Sequence, residues 1–157
     1  MEFIHCDKNE NYITLHDCKA ERAYFKDGVL GFEFADGFWI SPDHPESNLD
    51  VLVRTDKSKV EFVLYDGDEF DVTVFVFEEN IFKQPVRKEW SVHRLVKEIN
   101  SGKCVLEFLY QYVDGCSRIV ECVLWSQKKP YCRDCNIKLQ LRNVRYHWNK
   151  ILEDRVW

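Results

Sequence analysis

Glycine and proline are scarce, six and four among 157 residues, which excludes collagen-like and linker-rich chains. Apolar runs are short. Stretches such as Val74-Phe75-Val76-Phe77 end after a few residues, far below the roughly 20 that cross a bilayer as a helix. The opening, Met1-Glu2-Phe3-Ile4-His5-Cys6-Asp7, is acidic and has no apolar core, so no secretory signal and a cytoplasmic location are expected. A Gly-rich phosphate loop, a Walker lysine, a nucleophile elbow and a His-Glu-x-x-His helix are missing too, so the reactions those motifs serve have no support.

What is present describes a folded domain. Hydrophobic residues make up 45% of the chain and aromatics 15%, too apolar a balance for disorder. The length suits one domain, 1–157, because two would each have a thin core. The net charge of −5 hides an asymmetry. Met1–Asn80 holds 7 Lys/Arg against 19 Asp/Glu, net −12, whereas Ile81–Trp157 holds 15 against 8, net +7. Either the two halves interleave in space and their charges offset, or an acidic face meets a cationic partner. Seven cysteines cannot all pair internally, and in a reducing compartment they stay free thiols, acting mostly as small buried hydrophobes.

Four of the six glycines follow aspartate: Asp27-Gly28, Asp36-Gly37, Asp66-Gly67 and Asp114-Gly115. Asp-Gly suits a two-residue hairpin turn, and each pair lies between runs rich in aromatic and β-branched residues. Counting outward from Asp27-Gly28 sets Phe25 against Leu30 and Ala23 against Phe32. Around Asp36-Gly37 it sets Phe34 against Trp39, giving a meander from about Ala20 to Ile40. Around Asp114-Gly115 it sets Val113 against Cys116 and Gln111 against Arg118, and puts Leu106, Phe108, Tyr110 and Tyr112 on one face. Further strands are expected near Val51–Thr55, Lys59–Tyr65 and Asp71–Glu78. Val92, Leu95, Val96 and Ile99 fall at helical spacing after the N-cap Ser91 and before Gly102, so Ser91–Asn100 is a helix. The last stretch fits two patterns and divides into a strand to about Leu141 and a short helix from about Asn143 to Ile151.

Cys132-Arg133-Asp134-Cys135 is the most motif-like feature. Two thiolates at that spacing can chelate a metal or form a redox pair. No second Cys-x-x-Cys and no correctly spaced His pair follows, so no metal and no cofactor are expected. In Leu15-His16-Asp17-Cys18 a strand would point His16 and Cys18 to one side and Asp17 to the other. That makes His16 and Cys18 the candidate base and nucleophile of an enzyme, and His16 and Asp17 candidate binding groups. The cluster Asp66, Asp68, Glu69 and Asp71 lacks the twelfth-position Glu of a calcium loop and reads as a solvated hairpin tip suited to a cationic partner. The basic tail residues from Lys128 to Arg155 are interleaved with Tyr131, Tyr146 and Trp148. The overall acidity argues against nucleic acid as their target.

The stretch Ile13-Thr14-Leu15-His16-Asp17-Cys18, followed by the Gly28–Phe34 strand, resembles a loose group of small bacterial β-rich proteins. In these a His-Asp pair opens the first strand and an aromatic-rich meander follows. Most of that group has no assigned function, and some look like immunity proteins of bacterial toxin systems. The resemblance spans about Tyr12 to Glu78, implies a compact non-enzymatic domain and transfers no catalytic residue.

The expected fold is mainly β (α+β): about nine or ten short antiparallel strands in a sandwich or strongly curved sheet, with one packed helix and a short C-terminal helix. The expected function is protein binding without catalysis, of the immunity type, with no membrane association. Asp66, Asp68, Glu69, Asp71, His16, Asp17 and Trp39 are the candidate contacts. The alternatives are a β domain that binds a small ligand in an aromatic-lined cavity, and an enzyme built on His16 and Cys18. Replacing Asp68 and Glu69 by Asn and Gln should change stability by less than about 0.5 kcal/mol, as at solvated sites. Urea unfolding of the double variant measures this, and a larger loss would show that the two carboxylates hold the fold.

Overall fold

The computed structural model describes residues 3–157. Among them are fourteen strands and one α-helix. In chain order these are β1 (His5–Asp7), β2 (Ile13–Thr14), β3 (Cys18–Ala20), β4 (Arg22–Lys26), β5 (Val29–Phe34), β6 (Trp39–Ile40), β7 (Val53–Thr55), β8 (Ser58–Leu64), β9 (Val72–Glu79), β10 (Pro85–Trp90), α1 (Val92–Asn100), β11 (Cys104–Asp114), β12 (Ser117–Ser126), β13 (Cys132–Trp148) and β14 (Ile151–Val156). The chain is mainly β and sandwich-like, with antiparallel pairing throughout. Of the strands not expected, β1 is a three-residue piece, too brief to show a pattern in sequence, whereas β10 and β14 are six residues each and pair with β9 and β7.

The architecture is organised by β13, seventeen residues long. Its first part pairs with β12 (Trp125↔Cys132 to Ser117↔Gln140) on one edge and with β9 (Val76↔Cys135 to Val72↔Leu139) on the other. Its second part pairs with β8 (Leu64↔Leu141 to Lys59↔His147) and with β1. The Gln140 carbonyl accepts from Tyr65, next to β8, while the Leu141 amide donates to Cys116, next to β12. β8 and β9 therefore follow one another along the same edge. The sheet path runs β3-β11-β12-β13-β8-β5-β4, and its two ends are consecutive in sequence. The chain turns between them at Glu21, whose amide donates to Glu33 of β5 at 3.2 Å. The large sheet thus curls until its ends meet, and β2, β6, β7 and β14 form a second sheet in the order β14-β7-β6-β2.

Curling places β5 against β11, and aromatic rings fill the interior. Phe108 packs edge-on against Phe32 at 5.2 Å and against Phe34 at 5.5 Å, while Phe38 meets Tyr146 and Trp148 at 5.7 and 5.9 Å. All six are at most 1% exposed. Each fully buried ring contributes about 1.5–3 kcal/mol, with about 0.5–1.5 kcal/mol more for a well-oriented pair.

Ser91 caps α1 as expected, accepting from the Arg94 amide, and Val92, Leu95 and Ile99 are buried. Asn100 clamps the far end by bonding both the amide and the carbonyl of Ala23 in β4. The Asp27-Gly28 hairpin has the expected register, Ala23↔Phe32 and Phe25↔Leu30.

The C-terminal helix is corrected: β13 continues to Trp148 and β14 follows. A register irregularity between Leu141 and Asn143 explains the false signal. Buried residues alternate at Cys135, Ile137, Leu139 and Leu141, then resume at Val144, Tyr146 and Trp148. A one-residue slip in a period of two creates a spacing of three, which imitates a helix. A second slip, at Leu109, re-aims β11. Leu106 and Phe108 face Leu124 and Cys122 inward, whereas Tyr110 and Tyr112 pair with Glu121 and Ile119, so the four do not share one face. The turn closes on Asp114↔Ser117, and Gln111 lies diagonal to Arg118 but still accepts from its Nη1 at 3.1 Å.

Two of the four Asp-Gly pairs do not make hairpins. Asp66-Gly67 lies in the excursion between β8 and β9, which do not pair with each other. At Asp36-Gly37 the chain leaves the large sheet, so Trp39 pairs with Thr14 and Arg54 rather than Phe34. Of the two readings of the charge asymmetry, the structure shows interleaving: Glu10–Arg118, Glu61–Arg145 and Glu78–Arg133 each join the acidic half to the basic one.

Gly37 has φ +78°, and a Cβ there would lie 2.2 Å from the Thr55 carbonyl oxygen and 2.5 Å from that of Asp56. Gly37→Ala is therefore expected to cost at least about 2 kcal/mol, read as a lower urea midpoint at unchanged m-value. A neutral outcome would mean that the crossing between sheets is not tightly held.

Candidate functional site

The two-strand pairing that removes Trp39 from β5 also gives it a neighbour. Arg54 stands directly across the ladder, and its guanidinium lies over the Trp39 ring at 4.7 Å. Its Nε donates to the Asp36 carbonyl at 2.7 Å, which fixes the stack. Trp157 is placed by its amide, which donates to the Leu52 carbonyl at 3.1 Å, and its ring lies 5.2 Å from Trp39.

His16, in the turn between β2 and β3, completes the row. Asp17 has φ +57°, a left-handed conformation that Asp tolerates in turns, so the segment is not the straight strand its alternation implied. The Leu109 bulge leaves a carbonyl outside the ladder, and His16 Nδ1 donates to it at 2.6 Å. The imidazole is thereby held between Trp157, stacked at 5.6 Å, and Tyr110 at 5.1 Å. Four rings, Trp39, Trp157, His16 and Tyr110, form a continuous ledge. Trp157 is 57% exposed and Tyr110 55%, with Tyr112 and Val113 exposed beside them. The Asp17 carboxylate lies 3.5 Å from His16 Nε2, and that of Asp36 3.8 Å from Arg155. Three of the sequence candidates, His16, Asp17 and Trp39, thus come together, joined by Trp157 and Tyr110, whose roles no sequence pattern marks.

A cleft of about 470 Å³ opens next to this ledge, sharing His16 and Tyr110 with it and lined also by Glu10, Thr14, Gln111 and Tyr146. Behind Glu10 and Gln111 stands Arg118, 4% exposed and bonded to both.

The acidic cluster lies elsewhere, against the Gly28 turn and the start of α1, where Glu69 approaches His93 at 3.7 Å. It is not a uniformly solvated tip. Asp71 is 7% exposed, and its Oδ2 accepts from the amides of Asp66 and Gly67 at 2.7 and 3.0 Å. Asp68 accepts from the Phe70 amide and starts a short 3₁₀ turn. Asp71 is thus a loop staple, while Asp66, Asp68 and Glu69 face water.

Among the described residues no side-chain base hydrogen-bonds Cys18. Its thiol points to the His16 carbonyl at 3.6 Å, and burial pushes its pKa up to about 12. The imidazole of His16 is committed to Leu109. Cys132 and Cys135 lie three apart on a strand, which sends one outward and the other inward. Cys135 sits across the ladder from Cys122, and burial raises the pKa of both thiols. Among the described residues no group of three or more His, Cys, Asp and Glu is placed to hold a metal ion. In the basic tail, Tyr146 and Trp148 are core residues, while Arg133 and Arg145 pair with Glu78 and Glu61. Among the described residues no helix is long and apolar enough to cross a membrane.

A second polar cluster centres on Glu61. Tyr24, Gly31 and Glu61 are consecutive rungs across β4, β5 and β8, followed by Arg145 on β13. The Tyr24 ring crosses β5 because Gly31 has no side chain; a Cβ there would lie 2.2 Å from the ring. Its hydroxyl donates to Glu61 at 2.5 Å, Lys59 donates at 2.7 Å, His147 Nε2 lies at 3.0 Å and Arg145 Nε at 3.1 Å. Burial alone would raise the Glu61 pKa, but hydrogen bonds from Lys59 and Tyr24, with the charges of Lys59 and His147, bring it down to about 2. Burial keeps His147 below its ordinary value, and the same desolvation, aided by Glu61, raises that of Tyr24. Every group here is already engaged by another, which is the arrangement of a strut.

Compared with known protein families, curated proteins and solved structures, the chain matches none. The ledge and cleft therefore carry the functional argument by their chemistry alone.

A carboxylate with a depressed pKa stabilises the fold above its unfolded value and loses that contribution as pH falls through the folded one. For Glu61 the window runs from 4.5 down to about 2. Glu61→Gln should accordingly lower the unfolding free energy at neutral pH, where His147 is uncharged, and the gap to the parent should close as pH falls from 4.5 toward 2. A gap independent of pH, in urea titrations at several pH values, would assign the loss to packing instead.

Proposed function

We propose that this is a non-enzymatic protein-binding domain of the cytoplasm whose contact face is the Trp39–Trp157–His16–Tyr110 ledge. The observation that carries the reading is the continuous row of four rings, half exposed at Trp157 and Tyr110. Large rigid rings left in water at one place are the usual anchors of protein interfaces. The partner's chemistry follows from what the rings already hold. Arg54 lies on Trp39 within the protein itself, so a guanidinium or ammonium is a matching ligand for the remaining faces. The Asp17 carboxylate beside the row favours the same charge, that of Asp36 being taken by Arg155. The partner is thus a basic protein segment, and the ledge replaces the Asp66–Asp71 cluster as the principal contact.

The loose resemblance to small bacterial β-rich proteins, some of which look like immunity proteins of toxin systems, implies the same kind of role, since an immunity domain works by covering another protein. All seven cysteines are unpaired, which suits a reducing compartment. The buried, unactivated Cys18 argues against catalysis at the His16 segment.

With a partner identified by crosslinking from Trp157, Trp157→Ala and Trp39→Ala should each raise Kd by about 30-fold, the equivalent of about 2 kcal/mol at an interface centre. Asp68→Asn with Glu69→Gln should change Kd by less than about threefold, acting only on encounter. Unchanged affinity in both Trp variants, with a loss in the acidic pair, would move the interface to the loop between β8 and β9.

A further inference from the structure

We infer that the cleft beside the ledge is a binding site for a carboxylate carried on an aromatic body, with Arg118 as the group that recognises it and Glu10 as its resident substitute. The inference stands on the cleft alone and does not require the ledge to have a partner.

Arg118 is the starting point. It is 4% exposed on β12, and its guanidinium keeps a fixed fork of donors. Nη1 donates to Gln111 Oε1 at 3.1 Å, and Nη2 donates to Glu10 Oε2. Nε is buried and has no hydrogen-bond partner among the described residues. Nε and Nη2 form the side of the guanidinium that takes a carboxylate in two parallel hydrogen bonds. Glu10 uses only the Nη2 half of that side, so the strongest mode of carboxylate recognition stays incomplete within the protein. A buried donor left unsatisfied is costly, and a ligand able to take both nitrogens recovers that cost.

Glu10 is also the partner that can leave. It opens a short 3₁₀ turn, Glu10–Tyr12, and its side chain is 34% exposed. A change of rotamer carries it into water, whereas Arg118 is fixed by burial and by Gln111. The space next to it is of ligand size, about 470 Å³, within the range of small-molecule pockets. Phe108, Tyr110 and Val113 line it along with Thr14 and Gln111. Arg118 is not itself on the lining but lies behind Glu10 and Gln111, so a ring would lie among the first three while its carboxylate takes the place that Glu10 vacates on Arg118. The same chemistry can come from a free aromatic acid or from the C-terminus of a peptide ending in an aromatic residue.

The test uses the whole chain and titration calorimetry with phenylacetate, phenylacetamide, acetate and a short peptide ending in Phe, with its terminus free or amidated. Because Glu10 competes from within, the parent should bind phenylacetate weakly, and Glu10→Ala should bind it at least about tenfold more tightly. Glu10→Gln, which keeps the turn and loses the charge, should fall between and serves if the Ala variant does not fold. Phenylacetamide should not bind. Val113→Trp, at an exposed lining position, should remove the gain from either variant. Tighter binding of the free-terminus peptide than of phenylacetate would identify a chain terminus as the natural ligand, and the reverse a free acid. Acetate binding Glu10→Ala as tightly as phenylacetate would show only a hole made by the mutation and overturn the proposal. So would an amidated peptide that binds as well as the free one, or a parent chain that binds no aromatic carboxylate.

Discussion

The structure depends on one strand that serves both layers. β13 must present apolar residues to a common interior along seventeen positions, yet its two parts belong to different parts of a curled sheet. A straight strand of that length with one unbroken alternation would carry its neighbours away in a gently twisted plane. The slip between Leu141 and Asn143 lets the strand bend and keeps Val144, Tyr146 and Trp148 facing inward after it. β8 and β9 lie end to end along one edge because β13 spans both, and the loop between them is expelled sideways at the bend. Everything that closes the sheet, including the meeting of Phe32 and Phe34 with Phe108, follows from that curvature.

The rings rather than the ion pairs hold this arrangement. Six aromatic side chains are at most 1% exposed, each contributing about 1.5–3 kcal/mol on burial, whereas surface ion pairs are worth about 0–1 kcal/mol. The charge division between the halves nevertheless has a structural meaning. β13 is basic and meets strands from the acidic half on its β8 and β9 edge, so Glu61 and Glu78 find Arg145 and Arg133. A mispaired β13 would bring like charges together, so the asymmetry favours register more than stability.

The local elements were legible wherever one period or one turn decided them. The Asp27-Gly28 register and the Ser91 cap depend on neighbours a few residues away, and both are as read. The pattern failed where a single inserted residue changed the parity, at Leu109 and at Arg142–Asn143, because a slip costs nothing in composition and leaves no residue type as a marker. It failed also at Gly37, where a positive φ serves a crossing between sheets rather than a hairpin; the residue demands the conformation but does not say where the chain goes next. His16, Asp17 and Trp39 were legible as polar and aromatic outliers in apolar runs. Trp157, Glu10 and Arg118 were not, since each acquires its meaning from a partner at least 100 residues away.

The two slips have unequal consequences, and the difference bears on function. At Asn143 the side chain itself accepts from the Val144 amide at 2.9 Å, so the irregularity is satisfied locally and remains structural. At Leu109 the carbonyl instead accepts from His16, 93 residues away, and the slip turns Tyr110 outward while leaving Gln111 toward Arg118. One inserted residue therefore positions the ledge and one wall of the cleft together. An irregularity needed only for curvature has no reason to leave two aromatic side chains in water, and a buried arginine needs no open cleft beside it. That one slip therefore sets the exposed rings of the ledge beside the half-used guanidinium, and in the proposed function a partner covers the first while the inferred ligand completes the second.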